Sequence, residues 1–471
     1  MVLYPIKSML KGIQLRAYPT KHQKLILSQW MGCARFVWNA KCDEDKYFRG
    51  FARKFATFDH YYETQDQKYA HFKSDEISSW LANCPSTIQK NSTVNWYNTL
   101  KKSIKGLCGR PKRKKKTDKG SIHLTSDLFE FRTERNKRKL YIGGKKFNLG
   151  SLSFKAHANF KEPKSLYIRK ERGQYFVSFC YEDGVEIQEF DGKKFDAKKY
   201  AKRQLDHLQG MDEEQLQKIV VGIDRGVTIP VHAGYEEFDF SKEQKNHLTK
   251  ADRYIKRLQR KLARQVKGSN RRAKTKHRIA VHHSKKANIR KDFAHKTSHS
   301  LVNGLAKVFI FEKLNTKSMT KKPLPKIDES GRFIPNKAKA KAGLNKSILN
   351  VGWHRIASFL AYKAVKLGKA VFTINASYTS QECALCGHTH PDNRKSQDKF
   401  KCVSCGHIDN ADHNASVVIK NRAINLILDS GTLLDDNHLS SSGRRGVRKT
   451  TKGVKALFRS TNEASKEMCA T

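Results

Sequence analysis

The alternation of apolar and polar positions predicts a strand and then a helical region at the start of the chain. Residues 11–20 alternate and end in Tyr-Pro-Thr, which is typical of a single strand. Thr20 and Gln23 have the spacing of a capping box, so we expect a helix to begin there. Helical periodicity continues through an aromatic-rich region to about residue 80, and a further helix is predicted for residues 86–104.

Strand-like alternation returns between residues 122 and 181. The clearest segments, separated by turns that contain glycine, are 140–142, 152–154, 165–169 and 175–181. Short antiparallel strands at this spacing predict a small β-barrel, which the first strand can join across the helical insertion. The polar residues 184–217 predict a connector.

In the second half of the chain, an acidic residue marks three element boundaries. Buried strands predicted at 219–224 and 307–312 end in Asp224 and Glu312, and Asp412 precedes a helix predicted for 415–428. The other predicted elements are strands at 229–233, 237–240 and 370–374, a basic helical hairpin ending near 305, a basic loop at 316–347 and an amphipathic helix at 353–367. This order of strands and helices is that of an RNase H-like fold.

The three carboxylates predict a metal centre. Converging carboxylates repel one another unless cations neutralise them, and hard oxygen ligands favour Mg²⁺ or Mn²⁺. Two such ions about 3.5–4 Å apart can activate water and stabilise the leaving oxygen in phosphodiester cleavage. One acidic residue at a strand end is weak evidence, but Asp224, Glu312 and Asp412 in this order favour a nuclease.

Two cysteine pairs predict a second metal site. Cys383 and Cys386 form one Cys-x-x-Cys pair, Cys402 and Cys405 form another, and fifteen residues separate the pairs. Four thiolates close a tetrahedral site without an open position, so we expect one structural zinc ion. A redox pair or two disulfides are the alternatives. A histidine ligand is also conceivable, from His388, His390 or His407, although four cysteines suffice.

The composition points to a polyanionic partner. The 471 residues carry a formal net charge of +50, and a polyanion such as nucleic acid would relieve the resulting self-repulsion. An anionic membrane surface is the rival partner, but the sequence has neither a lipidation motif nor a membrane-spanning apolar run. The other six cysteines are scattered, and the first residues do not form a secretory signal. We therefore expect a protein of the reducing cytoplasm with free thiols.

Several motifs together resemble one family. They are Tyr18-Pro-Thr, Gly32-x-Ala-Arg-Phe-Val-Trp-Asn39, Gly222-Ile-Asp224-x-Gly226, Gly268-Ser-Asn-x-Arg272, Arg290-x-Asp-Phe293-x-His295-Lys, Glu312-x-Leu-Asn315, Tyr378-Thr-Ser-Gln381-x-Cys383-x-x-Cys386-Gly and Asp412-x-Asn-Ala415. As a set they resemble the TnpB proteins of insertion-sequence transposons, which are RNA-guided DNA nucleases related to type V CRISPR effectors. The resemblance implies a RuvC-like nuclease with Asp224, Glu312 and Asp412 as metal ligands, and a guide RNA from the transposon end. It does not extend to individual residues of 117–190 or 316–347.

The resemblance also implies a multidomain α+β architecture. The expected parts are a β-barrel wedge domain (1–20 and 109–190), a helical recognition lobe (21–108), a connector (191–217), a RuvC-like α/β nuclease domain (218–376 and 411–430), an inserted zinc ribbon that binds target nucleic acid (377–410) and a basic, disordered tail (431–471). One protein molecule is expected for each guide RNA.

Basic residues in three places are the candidate nucleic-acid contacts. They are Arg35 in the helical lobe, Lys112, Arg113 and Lys114 in a basic run, and Arg271, Arg272 and Arg290 in the basic hairpin. A solvated loop or a solvated hairpin is the alternative for the last two groups.

The favoured function is RNA-guided cleavage of double-stranded DNA beside a short motif, because all three carboxylates are present. The alternatives are a type V CRISPR-like effector, a nuclease-inactive repressor and a transposase that joins DNA strands without a guide.

Overall fold

The computed structural model describes residues 2–3, 11–54, 67–116, 119–134, 137–144, 146–181 and 197–429, and these residues form two compact units. One, here called the α/β unit, contains residues 2–3, 197–248 and 287–429. The other, the β-sheet unit, contains the described residues between 11 and 181 together with 249–286.

The helices of the described residues are α1 (Lys21–Lys54), α2 (Ser86–Ile104), α3 (Ala197–Gln209), α4 (Glu213–Ile219), α5 (Lys242–Ala263), α6 (Asn270–Asn303), α7 (Thr316–Met319), α8 (Ala338–Val351), α9 (Trp353–Lys366) and α10 (Ala411–Asp429). None of these helices is both long enough and apolar enough to cross a membrane.

The strands of the described residues are β1 (Val2–Leu3), β2 (Lys11–Tyr18), β3 (Gly120–Thr125), β4 (Phe129–Glu134), β5 (Lys137–Gly143), β6 (Asn148–Lys155), β7 (Ser165–Glu171), β8 (Gln174–Tyr181), β9 (Val220–Asp224), β10 (Val231–Ala233), β11 (Glu236–Phe238), β12 (Val308–Glu312), β13 (Lys326–Ile327), β14 (Phe333–Ile334), β15 (Ala370–Ile374), β16 (Lys399–Lys401) and β17 (Ile408–Asn410).

The β-sheet unit is built on an antiparallel sheet with the order β3-β7-β8-β2-β6-β5-β4. The first strand, β2, lies between β8 and β6, so the prediction that it joins the later strands is confirmed. The Phe131 ring on β4 lies 6.1 Å from the Phe179 ring on β8, four strands away. A flat sheet would separate these strands by about 19 Å, so the sheet curls around one apolar core.

Helices α1 and α2 cover this curled core. The predicted capping box begins α1: Thr20 N–H donates to Gln23 Oε1 at 3.0 Å, and Gln23 N–H donates to Thr20 Oγ1 at 3.2 Å. Leu27, Trp30 and Ile88 then bury their side chains in the same core as the strands. The two helices therefore fold with the sheet rather than as a separate core.

The α/β unit has a mixed sheet with the order β1-β15-β12-β9-β10-β11. Its three central strands, β15, β12 and β9, are parallel to one another, and β10 and β11 continue it as an antiparallel meander. Side chains of β12 alternate between two cores. Phe309 and Phe311 pack with α6 and α9, whereas Val308 and Ile310 pack with α3, α4 and α10.

This alternation decides which face carries the acidic strand ends. Glu312 has the same parity as Val308 and Ile310, so its side chain belongs to the α10 face. On β9, Gly222 faces α10, because a Cβ there would lie 2.0 Å from the Ser416 carbonyl oxygen. Asp224, two residues later, falls on the same face.

Three predicted segments differ from the structure. The described part of the connector expected in residues 191–217 contains α3 and most of α4, because Leu205, Leu208 and Leu216 pack in the same core as β12. The basic loop expected at 316–347 contains α7, the β13–β14 hairpin and most of α8.

The helix expected to reach residue 80 also differs. Helix α1 ends at Lys54, and residues 67–84 form only short 3₁₀ turns at Ala70–Phe72 and Ser79–Asn83. Part of this prediction, residues 55–66, lies outside the described residues, as does the tail predicted for 431–471.

Gly222→Ala is expected to destabilise the α/β unit by about 3 kcal/mol or more, because the new methyl group would overlap the backbone of α10 at Ser416 and Lys420. Thermal unfolding of the full chain measures the effect. Gly343→Ala is the matched control: this glycine lies inside α8 with open space around it, so alanine should add about 0.5–1 kcal/mol. Equal unfolding temperatures for the two variants would contradict the close approach of α10 to β9.

Candidate functional site

The α/β fold brings three carboxylates to one edge of its sheet. Asp224 ends β9 and Glu312 ends β12, and these strands run parallel with Ile223 opposite Phe311. The residues that follow Ile223 and Phe311 are Asp224 and Glu312, so both carboxylates lie at the same edge of the sheet. Asp412 lies in the first turn of α10, which packs against β9, so a long insertion returns the third carboxylate to the first two.

Burial makes these carboxylates hard to ionise, and repulsion from the other two adds to the effect at Asp224. Burial, followed by the charges of Glu312 and Asp412, raises the pKa of Asp224 to about 7. Burial also raises the pKa of Glu312, whose side chain is only 7% exposed, and of Asp412. The site therefore concentrates negative charge that the protein alone does not balance, and a bound cation would relieve the repulsion.

Neighbouring side chains hold two of the carboxylates. The Thr379 hydroxyl, itself buried, donates a hydrogen bond to Glu312 Oε1. Arg394 lies between the cysteine pairs, and its Nη2 is 3.4 Å from Asp412 Oδ1. Arg225 follows Asp224 and donates to the Glu312 carbonyl oxygen.

The four cysteines form a compact cluster. Cys383 Sγ lies 3.7 Å from Cys405 Sγ, and Cys386 Sγ lies 3.6 Å from Cys402 Sγ. Four sulfurs about 2.3 Å from one zinc ion would be about 3.8 Å apart, so the cluster can hold a metal such as zinc. Among the described residues, no other group of three or more His, Cys, Asp or Glu side chains brings all its ligand atoms within 4.8 Å. The carboxylate centre is therefore more open than the cysteine cluster.

The two cysteine turns have the same backbone design. Gly387 and Gly406 adopt φ angles of +71° and +73°, which glycine tolerates without a Cβ clash. Their N–H groups donate to the carbonyl oxygens of Cys383 and Cys402 at 2.9 and 3.1 Å. Backbone N–H groups of Cys405 and Ser404 lower the pKa of Cys402 to about 6, which favours the thiolate that a metal requires.

Buried amide side chains join the cysteine turns to each other and to the carboxylate centre. Asn393, fully buried, donates to the carbonyl oxygens of Gln381 and His388 and accepts from the Val403 N–H. On α10, Asn414 donates to the Glu382 carbonyl oxygen at 2.8 Å and accepts from the Ala384 N–H at 2.9 Å.

An ion pair adds a third tie. The Arg422 guanidinium on α10 pairs with the Glu382 carboxylate. The helix that carries Asp412 is thus fastened to the turn that carries Cys383. Asp409, near the other cysteine pair, accepts from His413 Nδ1 at 2.6 Å.

Four of the seven candidate nucleic-acid residues either line a cavity or are exposed, and the other three bond to groups of the protein. In the β-sheet unit, Arg35 and Lys114 line a cavity of about 570 Å³ between α1, α2 and the sheet. Lys114 Nζ lies 3.5 Å from the centre of the Trp38 ring. Lys112 and Arg271 are exposed.

The remaining three arginines have partners within the protein. Arg113 pairs with Asp43, Arg272 donates to the Gln265 carbonyl oxygen, and Arg290 donates to Asn350 Oδ1.

Sequence reasoning missed several residues of the site. Thr379 lies in the motif that begins at Tyr378, but nothing in the motif indicates that its hydroxyl reaches Glu312, 67 positions earlier. Arg394 was hidden in a polar loop. His232 is paired across the strands with Asp224 and is buried, and only its strand register could have indicated this.

Comparison with known proteins identifies the relatives of this chain. A family model described as "Probable transposase" (OrfB_IS605) matches residues 180–322, a related "Helix-turn-helix domain" model matches residues 9–41, and a "Cas12f1-like, TNB domain" model matches residues 353–419. A protein of Escherichia coli K12 named "Putative RNA-guided DNA endonuclease InsQ" is 26% identical over 95% of this chain and 99% of its own length. This chain is therefore similar to the TnpB-like proteins of the OrfB_IS605 family.

More distant relatives extend the comparison. A Streptomyces pristinaespiralis protein named "Putative RNA-guided DNA endonuclease" is 22% identical to the TnpB-like chain over 86% of this chain and 87% of its own length. Among solved structures, CasPhi-2 (Cas12j) bound to crRNA covers 92% of the TnpB-like chain and all of its own, with 11% identity and a TM-score of 0.43.

Cys383→Ser combined with Cys402→Ser is expected to release the metal from the TnpB-like chain and to lower its thermal stability, because a structural metal supplies folding free energy. Elemental analysis of the purified protein should show about one zinc per wild-type chain and none in the double variant. Cys180→Ser, an exposed cysteine in the other unit, should retain both zinc and stability. A wild-type protein without zinc would contradict the assignment.

Proposed function

We propose that this TnpB-like protein is a transposon-encoded, RNA-guided endonuclease that cleaves double-stranded DNA beside a short motif. The convergence of Asp224, Glu312 and Asp412 at one sheet edge carries the proposal, because such a centre suits metal-dependent phosphodiester hydrolysis. The names of the two full-length relatives support guidance by RNA and action on DNA.

The α/β unit is proposed to be a RuvC-like nuclease domain. Its strand order, with two antiparallel strands beside three parallel ones and helices on both faces, supports an RNase H-like fold. We assign this domain to residues 218–376 and 411–430, with the zinc ribbon at 377–410. The curled sheet supports a barrel-like wedge domain formed by 1–20 and 109–190, and α1 and α2 support a recognition lobe at 21–108.

Asp224, Glu312 and Asp412 would hold one or two Mg²⁺ or Mn²⁺ ions. The donor set fits hard cations, since it offers carboxylate oxygens at one sheet edge, and burial raises the pKa of each carboxylate. Bound there, such ions lower the pKa of a coordinated water and polarise the scissile phosphate.

The protein's own side chains organise this centre. The Thr379 hydroxyl fixes one oxygen of Glu312, which leaves the other oxygen for a ligand. Arg394 beside Asp412 places a guanidinium at the edge of the site, where it can donate hydrogen bonds to a phosphate. The buried position of Glu312 keeps bulk water from one side of the centre.

The excess of basic side chains suits a guide RNA and a DNA target. In such complexes base pairing reads the sequence, and the protein holds the backbones through lysine and arginine. The cavity lined by Arg35, Lys114 and Lys119 supports phosphate contact in the β-sheet unit. One protein molecule for each guide RNA is the proposed assembly.

Asp224→Asn, Glu312→Gln and Asp412→Asn are each expected to reduce DNA cleavage by about a thousandfold or more, because the loss of one ligand misplaces the ions that align water and phosphate. Binding of guide and target should remain, since basic side chains and base pairing carry it. The measurement uses the protein with its copurified RNA and a matching DNA duplex in Mg²⁺. Cleavage by all three variants at the wild-type rate would contradict this centre.

A control for these variants must avoid residues whose side chains hold α10 in place. Asp409 and Glu382 lie near Asp412 in the sequence, but they bond to His413 and Arg422 and so support α10. Asp392 is a better control, because it lies in the same insertion with an exposed side chain. Asp392→Asn should cleave like the wild-type protein.

Affinity for the guide RNA should fall steeply as salt concentration rises. Each neutralised phosphate releases counterions and contributes roughly 0.7–0.9 to the slope of log affinity against log salt. Lys114→Ala should weaken binding and reduce that slope by about one of these increments, because its ammonium lines the basic cavity. Filter binding at several salt concentrations measures the slope. An affinity that does not change with salt would contradict phosphate contact.

A further inference from the structure

Tyr378 has a backbone conformation that is costly for its residue type. Its φ angle is +63°, in the left-handed region that glycine and asparagine tolerate and bulky side chains rarely adopt. Its side chain is 64% exposed. Within the described residues, its ring has neither an aromatic nor a cationic partner. The protein therefore keeps a strained, largely exposed tyrosine whose ring has no aromatic or cationic partner among the described residues.

The surrounding turn enforces this conformation. Asn375 Oδ1 accepts from the Ser377 N–H at 3.1 Å, and Arg422 donates to the Ser377 carbonyl oxygen at 2.7 Å. After the bend, the N–H groups of Gln381 and Glu382 donate to the Tyr378 carbonyl oxygen at 2.9 and 3.0 Å. Strain of this kind persists where neighbouring contacts over-determine the backbone, and it is concentrated at functional sites.

The turn at residues 377–382 contacts the carboxylate centre on one side and solvent on the other. Thr379 is buried and donates to Glu312, whereas the adjacent Tyr378 side chain is exposed. Tyr378 is thus the chain neighbour of Thr379, whose hydroxyl positions the proposed metal ligand Glu312. Glycine or asparagine would form the same bend at lower cost, so the aromatic ring itself must have a use outside the chain.

We propose that Tyr378 stacks on a nucleobase next to the phosphate that the carboxylates act on, an inference that rests on the proposed nuclease function. An exposed aromatic ring is a sequence-tolerant platform for an unstacked base, because every base offers a π face. A base held there would fix the position of its own phosphate relative to Glu312. Tyr378 is then a positioning residue for the substrate strand.

Three substitutions separate the ring from the bend. Tyr378→Phe keeps the ring and the strain, whereas Tyr378→Asn and Tyr378→Gly remove the ring and relieve the strain. With the protein, its copurified RNA and a matching DNA duplex, we expect Tyr378→Phe to retain cleavage and the other two variants to lose about tenfold in rate. The unfolding temperature of the Tyr378→Asn and Tyr378→Gly variants should equal or exceed that of the wild-type protein.

A matched control uses a large exposed side chain remote from the centre. Leu305 is 96% exposed and precedes β12, at the opposite end of the strand from Glu312. Leu305→Ala should cleave like the wild-type protein.

Stacking can also be observed without cleavage. In the Asp412→Asn background, 2-aminopurine is placed at each of the nucleotides that flank the mapped cut site. At one position the fluorescence should be quenched by the native Tyr378 and equally after Tyr378→Phe, and it should rise after Tyr378→Asn. This binding readout remains available if the wild-type protein does not cut DNA, in which case 2-aminopurine is scanned along the whole target strand. Absence of cutting would refute the proposed function but not the stacking.

Each contrary result identifies a different error. Wild-type cleavage by Tyr378→Asn would overturn the proposal and leave Tyr378 as a turn residue only. A fall in unfolding temperature that parallels the loss of cleavage would overturn it by assigning the ring to packing within the protein. Unchanged fluorescence at every position would also overturn the proposal, since no base would then contact the ring.

Discussion

The gathering of three carboxylates at one sheet edge, with Glu312 buried and Asp224 and Asp412 partly buried, is the constraint around which the α/β unit is arranged. The pKa of Asp224 is raised to about 7, first by burial and then by the charges of Glu312 and Asp412. Arg394 offsets part of the charge at Asp412, and Thr379 stabilises Glu312 by a hydrogen bond rather than by charge.

The close approach of α10 to β9 makes this centre possible, and the four-cysteine cluster helps to keep it. Gly222 lets the backbone of α10 reach the strand, which brings Asp412 towards Asp224. Asn414 and Arg422, on the same helix, bond to the turn that carries Cys383. A metal bound at the cysteines would therefore also stabilise the position of Asp412, because α10 carries Asp412 and is hydrogen-bonded to the turn that carries Cys383.

The sequence was sufficient for elements whose pattern is local. Buried strands that end in Asp224 and Glu312, the capping box at Thr20 and the two cysteine pairs all depend on neighbouring residues, and the structure contains each of them. The helices at 197–219 escaped prediction because a few apolar residues, such as Leu205, are embedded in a polar segment. Their burial depends on the sheet, which the segment itself does not encode.

Hydrogen bonds between distant elements could not be predicted from local sequence either, because they too depend on the tertiary fold. The contact between Thr379 and Glu312 joins residues 67 positions apart. The φ angle of Tyr378 results from hydrogen bonds made by its neighbours, including one from Arg422, which lies on α10. Such contacts follow from the tertiary fold, so the residue types alone cannot distinguish a site residue from an ordinary loop residue.

The net charge of +50 overstates the number of side chains available to nucleic acid. Some basic side chains make hydrogen bonds within the protein. Lys363 and Lys369 donate to carbonyl oxygens near the end of α6, and Arg272 donates to the carbonyl oxygen of Gln265.

A basic side chain that is bonded within the protein differs in its long-range and short-range effects on a polyanion. A lysine that caps a helix still contributes to the long-range field that attracts a polyanion, but it cannot also give its hydrogen bonds to a phosphate. The field therefore reflects the whole excess of lysine and arginine, whereas hydrogen bonds to a phosphate would need side chains such as Arg35 and Lys114, which line the cavity of the β-sheet unit. All the basic side chains thus contribute to the long-range attraction of a polyanion, but only some of them are free to donate hydrogen bonds to its phosphates.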